Sequence, residues 1–257
     1  MKAVILSEQS NLRHFRDKSE FMGTMSEIAE MPVLWHIMKY FSAYGIREFI
    51  ICAGYQQEMI KDWFRNYYLH SAGIAFDFGK SGRPEVHGGN TENWKVSVVN
   101  TDTVALSGGY IGKLCGLLKD EPFLLTYGDV ISDIDIDALK AFHFSHRKRV
   151  TMTAVNAENV REMLFVDRTG NVVSGSEKDR NTACINGELM ICDAGFLIEF
   201  LLNGAEVGQE PLQNNHAEEA DWFIHRGFWK RLYSEEEKNE LETIWDSGTA
   251  PWKIWTD

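Results

Sequence analysis

Short apolar runs alternate along this chain with stretches of helical periodicity. MKAVIL, residues Met1–Leu6, is apolar enough to predict a strand buried on both faces. Segment 7–31 is polar and carries few element signals. Val33–Phe41 then spaces its apolar residues as a helix does, with Pro32 where a first helical turn tolerates it. Gly45 ends that helix, and REFIICAGY predicts a second buried strand. Glu58–Leu69 is strongly amphipathic and predicts a helix. Strand–helix–strand–helix is the opening of a doubly wound α/β sheet.

Residues 71–100 hold period-two pieces around glycines, GIAFDFG and WKVSVVN, which predict short antiparallel strands or a hairpin. Tyr110–Lys119 predicts a helix. PFLLTYGDVI is the third clear buried strand and runs into Gly128-Asp129. Ile136–His146 predicts a helix and RVTMTAV a strand. EMLFVDRTGNVVSGSEK reads as a β-hairpin turning at Arg168-Thr169-Gly170. ACINGELMICD is a further strand, and Gly195–Asn203 a helix. Residues 1–226 form the expected α/β body. Residues 227–257 form a tail with Trp229, Trp245, Trp252 and Trp255, expected to pack on the body or on a partner subunit. Within it Ser234–Trp245 predicts a capped helix with a solvated acidic face.

Composition narrows the functional classes. The 257 residues are 44% hydrophobic and 25% charged, enough for one large α/β domain without a disulfide or metal staple. Cys52, Cys115, Cys184 and Cys192 lie in apolar runs with no CxxC pair, as small buried hydrophobes do in a reducing compartment. No leader and no apolar run of about 18 residues occurs. These features predict a cytoplasmic protein that does not enter a membrane. A net charge of −12 argues against a nucleic-acid partner, though a few local cations can still hold a phosphate. His143 and His146 have possible ligand spacing but no carboxylate or cysteine partner in sequence, which favours structural roles.

Four segments carry a family resemblance: MKAVIL; MPVLWHIMKYFSAYGIREFIICAGYQQEMIKDWFRNYYLH; PFLLTYGDVISDIDI; and GFWKRLYSEEEKNELETIWDSGTAPWKIW. Between them lie SEKD, INGELMI and GQEPL. Together these resemble the bacterial glucose-1-phosphate cytidylyltransferases, a family of sugar nucleotidyltransferases, over nearly the whole chain. The resemblance implies a Rossmann-like mixed sheet in a three-layer αβα fold. It also implies CTP and a sugar 1-phosphate as ligands, Mg²⁺ as cofactor, and a homo-oligomer. The phosphate of the sugar would attack the α-phosphorus in line and pyrophosphate would leave.

Site residues carry over one at a time. Asp129 matches the family's first metal-binding aspartate. Arg13 stands near the arginine of a GGxGTR-type loop, and Lys178 in SEKD matches the lysine that faces the sugar phosphate. Gly108-Gly109, Asn186-Gly187 and Glu210 match substrate-binding positions. Several positions depart from the pattern. The first strand runs into Ser7-Glu8-Gln9-Ser10-Asn11-Leu12-Arg13, with no glycine before Gly23. Glu188 replaces the second glycine of an NGG motif. A PMDT-like stretch is rewritten around Lys230-Arg231-Leu232-Tyr233-Ser234, with Tyr233 at the second aspartate. Arg16 and Lys18 are further cations, long and flexible enough to take the place of lost phosphate contacts. Three readings stay open: an active cytidylyltransferase, a catalytically inactive paralogue with a binding or regulatory role, and a nucleotidyltransferase with changed donor or acceptor.

Overall fold

The computed structural model describes residues 1–7, 23–54, 57–67, 73–76, 78–79, 84–87, 92–101, 114, 116–119, 121–156, 164–166, 172–173, 183–196 and 219–256. The first half runs β1 (Ala3–Leu6), a 3-10 turn (Gly23–Met25), β2 (Glu27–Ile28), β3 (Met31–Pro32), α1 (Val33–Ala43), β4 (Glu48–Ala53), α2 (Gln57–Arg65), β5 (Gly73–Phe76), β6 (Pro84–His87) and β7 (Lys95–Asn100). The second runs β8 (Phe123–Tyr127), β9 (Val130–Ser132), α3 (Ile136–Ser145), β10 (Val150–Asn156), β11 (Leu164–Val166), β12 (Val172–Val173), β13 (Ala183–Cys192), β14 (Ala220–His225), β15 (Trp229–Arg231) and α4 (Glu235–Asp246).

The main sheet has nine strands among the described residues. Its continuous run is β7-β4-β1-β8-β13-β10-β14. The first four strands are mutually parallel. β13 then pairs antiparallel with β8 and β10, and the β11–β12 hairpin continues along the β8 edge of β13. Side chains alternate between two cores, because both faces are covered. Ala3, Ile5, Phe49, Ile51 and Leu124 join Leu34, Met38, Leu241 and Trp252 on one face. Val4, Leu6, Ile50, Leu125 and Met152 join Leu114, Leu118 and Phe196 on the other. This is the Rossmann-like three-layer arrangement that the family resemblance implies, and β1, β4 and β8 are the buried runs read from the sequence.

Several elements differ from expectation. WKVSVVN is not antiparallel: β7 extends the parallel sheet beyond β4, with Glu48 beside Lys95 and Ala53 beside Asn100. The alternation there reflects an edge strand whose residues are mostly half-buried. GIAFDFG does join an antiparallel pair, β5–β6. Pro32 caps α1 and lies in β3 instead of occupying the first helical turn. Residues 27–32, most of them in the stretch with few element signals, form the small β2–β3 ladder, whose two turn residues, Ala29 and Glu30, have φ of +51° and +64°. Ser234 precedes α4 but bonds no backbone N–H there; its hydroxyl donates to the Glu237 carboxylate. The expected hairpin turn at 168–170, Cys115 and most of the expected helix at 195–203 lie outside the described residues. Trp252 is 1% exposed and stacks on Phe228, while Trp245 packs edge-on against His36 of α1.

Candidate active site

In the order β7-β4-β1-β8 the chain winds outward from β1 on one side and returns on the other. The direction of crossover therefore reverses between β1 and β8, where doubly wound sheets leave a crevice beyond the carboxyl ends of the strands. The described residues at that edge are tightly joined. Gly128 N donates to Leu6 O at 2.8 Å, and Thr24 Oγ1 donates to Ser7 O at 3.1 Å. A Cβ on Gly128 would lie 2.5 Å from Thr24 Oγ1, so the turn after β8 admits only glycine without displacement.

Asp129 follows immediately, and its carboxylate meets two groups that come from far along the chain. Its Oδ2 accepts from Arg231 Nε at 3.1 Å, and Arg231 Nη1 donates to Glu188 Oε1. The guanidinium carbon lies 5.2 Å from the Tyr127 ring centre and 5.0 Å from that of Tyr233. A planar, delocalised cation suits such a place better than a lysine would. The Arg231 side chain is only 4% exposed and each carboxylate partner 18%. Burial pushes the Asp129 carboxyl above its ordinary pKa, and the attraction and hydrogen bond of Arg231 oppose that push. Asp129 Oδ1 and Arg231 Nη2 are buried without a hydrogen-bond partner among the described residues.

Local structure explains how the three groups converge. β15 pairs with β9, which sets Arg231 beside Val130, and Leu232 N donates to Asp129 O at 2.9 Å. Glu188 sits in a bulge of β13: Met152 faces Met190 and Ala154 faces Asn186, so Thr153 alone stands opposite Gly187, Glu188 and Leu189. Glu188 has φ of +55°, a conformation that favours glycine. The bulge is held by Glu188 N donating to Asn186 Oδ1 at 2.9 Å and by Thr153 Oγ1 donating to Leu189 O at 2.7 Å. Thr126 Oγ1 donates to Glu188 O at 3.1 Å, and Trp229 Nε1 to Gly187 O at 2.8 Å.

Of the sequence-predicted site residues, Asp129, Asn186 and Gly187 are described. Asn186 and Gly187 shape the bulge that presents Glu188. Arg13, Gly108, Gly109, Lys178 and Glu210 lie outside the described residues, as do Arg16 and Lys18. Sequence reasoning did not find Arg231 or Glu188 as site residues. The available signal was that both stand where the sequence departs from the family pattern.

Magnesium prefers octahedral oxygen coordination at roughly 2.0–2.1 Å, usually with water and substrate phosphates completing the shell. The described surroundings of Asp129 do not fit it as a direct ligand, because a guanidinium fills the space between the two carboxylates. Asp135 caps α3 by accepting from Asp137 N and Ala138 N, and Asp133 Oδ1 lies 2.9 Å from His225 Nε2. His143 Nδ1 and His146 Nε2 both lie 2.8 Å from Thr151 Oγ1. No group of three or more metal-ligating side chains is assembled among the described residues. Cys52, Cys184 and Cys192 are buried, and burial pushes the Cys192 thiol up.

No protein-family model matches the chain. Among solved structures, HddC from Yersinia pseudotuberculosis superposes with a TM-score of 0.67 at 17% identity, covering 95% of this chain and 99% of that one. The inositol-1-phosphate CTP transferase of T. maritima superposes with a TM-score of 0.61 at 12% identity, covering 100% of this chain and 98% of that one. These likenesses show the fold. The glucose-1-phosphate cytidylyltransferase of Salmonella typhimurium is 38% identical over 259 aligned residues, spanning 99% of this chain and 100% of the relative. With that identity over the full length of both proteins, the chain belongs to the glucose-1-phosphate cytidylyltransferase family of sugar-1-phosphate nucleotidyltransferases.

Proposed function

We propose that this chain makes CDP-glucose from CTP and glucose 1-phosphate. The observation that carries the reading is Asp129, placed at the β1–β8 reversal of a chain related over its full length to enzymes of that name. A phosphate oxygen of the sugar attacks the α-phosphorus of CTP. The bond from that phosphorus to the oxygen bridging it to the β-phosphate breaks, and pyrophosphate leaves with the electron pair. Such a transfer needs alignment of the reacting groups and positive charge against the phosphates more than covalent help from the protein. Arg13 and Lys178 are the cations proposed for the triphosphate and the sugar phosphate. Gly108-Gly109 would offer backbone N–H groups, and Glu210 would accept from sugar hydroxyls. In this reading Asp129 holds Arg231 at the edge of the site.

A second reading is favoured by the ion pair itself: a catalytically inactive paralogue that retains ligand binding. Asp129 Oδ2 is engaged by Arg231, a cation of the chain itself. Pyrophosphate release from CTP and glucose 1-phosphate, beside an Asp129→Ala control, separates the two. The cytidylyltransferase reading expects turnover, reduced on the order of 10²–10³-fold by the substitution, as for loss of an electrostatic group at a reacting centre. Folded protein with no release above the control overturns it and leaves the binding reading and the reading of a changed donor or acceptor.

A further inference from the structure

We propose that Arg231 is the resident cation of the Asp129 site and excludes a divalent metal from that carboxylate. Three observations point to a built position instead of a chance surface contact. The Arg231 side chain is 4% exposed, and it is held by two carboxylates, one from the turn after β8 and one from β13. Its guanidinium lies near two aromatic rings, at 5.2 Å from Tyr127 and 5.0 Å from Tyr233. Its backbone is fixed by the β15–β9 ladder and by the bond from Leu232 N to Asp129 O.

The cost borne elsewhere supports the same conclusion. Glu188 adopts φ of +55°, which a side chain with a Cβ rarely takes without compensation. The compensation visible here is its charge-assisted bond to Arg231. Glycine at 188 would relax the backbone but leave one carboxylate fewer against the guanidinium. Removing the guanidinium would take from Asp129 and Glu188 the cation that both of them contact. Two converging carboxylates are what a hard divalent cation seeks, so Arg231 holds the position that such an ion would fill. Arg231 Nη2 is a further donor nitrogen of that cation and has no partner among the described residues.

The functional meaning of this assignment rests on Asp129 belonging to the nucleotide site. Its test does not, because metal binding is read without substrate or turnover. Mn²⁺ is titrated into the full chain and followed by electron paramagnetic resonance, for wild type, Asp129→Asn, Arg231→Met and the Asp129→Asn/Arg231→Met double variant. Wild type and Asp129→Asn are expected to bind Mn²⁺ alike. Arg231→Met is expected to gain a site at least tenfold tighter than any in wild type, and the double variant to lose it. A wild-type Mn²⁺ site that disappears in Asp129→Asn overturns the proposal. So does a folded Arg231→Met protein that gains no site. If Arg231→Met does not fold, the comparison of wild type with Asp129→Asn decides alone. Failure of the pyrophosphate assay leaves this result untouched, so the two readings fail separately.

Discussion

His36 links the stability of this protein to pH. It lies in α1 at 1% exposure, with its ring edge-on to Trp35 at 5.1 Å and to Trp245 at 4.8 Å. Nε2 donates to Ile28 O at 2.8 Å, and Nδ1 has no partner among the described residues, so the neutral ring carries its proton on Nε2. Burial lowers its pKa from 6.5 to about 4; the backbone carbonyls of Ile28 and Met31 oppose the change and Lys253 adds slightly to it. The unfolded chain binds this proton near pH 6.5, and the folded protein only near pH 4. Between those values the unfolded state holds more protons, so stability falls as pH falls. Above about pH 7 the group contributes no slope. At about 1.36 kcal/mol per unit, the loss reaches about 3 kcal/mol once pH is below the folded value. That is a large part of a typical domain stability of about 5–15 kcal/mol. The assay is urea unfolding followed by tryptophan fluorescence from about pH 7.5 to 4.5, comparing wild type with His36→Gln. Glutamine can still donate to Ile28 O but does not titrate. Other carboxylates change charge in the same range, so the difference between the two proteins isolates His36. The variant is expected to be less stable near neutrality, with the gap closing by about 2–3 kcal/mol toward the acid end. A gap that stays constant with pH refutes the argument.

Two glycines give further tests. Gly187→Ala would set a Cβ 2.5 Å from Thr153 Oγ1 and 2.8 Å from Val155 Cγ1, pushing the β13 bulge off β10. It should cost about 1–3 kcal/mol in chemical denaturation and displace Glu188 from Arg231; an unchanged midpoint counts against the packing described. Gly128→Ala collides with Thr24 Oγ1 at 2.5 Å. Its cost should shrink when Thr24→Ala is added, and a double-mutant cycle with no coupling counts against that contact.

Much of the fold was legible because burial writes itself plainly into sequence. β1, β4 and β8 lie in the middle of a sheet covered on both faces, so each is an uninterrupted apolar run. β7 was misread because an edge strand with half-buried residues has the period of an antiparallel one. The β2–β3 ladder gave no signal, since two-residue strands have no period. Its turn places Ala29 and Glu30 at positive φ, where sequence reasoning looks for asparagine and glycine.

The candidate site was legible only in part, for a different reason. Asp129 announces itself by position, in the turn that follows a buried strand. Arg231 and Glu188 do not, because their meaning is mutual. Taken singly, a glutamate at a glycine position is a strained backbone, and an arginine beside the position where the family pattern has a second aspartate is a misplaced charge. The fold brings them together across 43 residues of sequence and sets Asp129, 102 residues away from Arg231, on the same guanidinium. Two departures that look like separate losses along the chain form one charge arrangement in space. A position-by-position reading counts both against the site. Only the bulge in β13 and the ladder between β9 and β15, neither with a sequence signature of its own, turn them into partners.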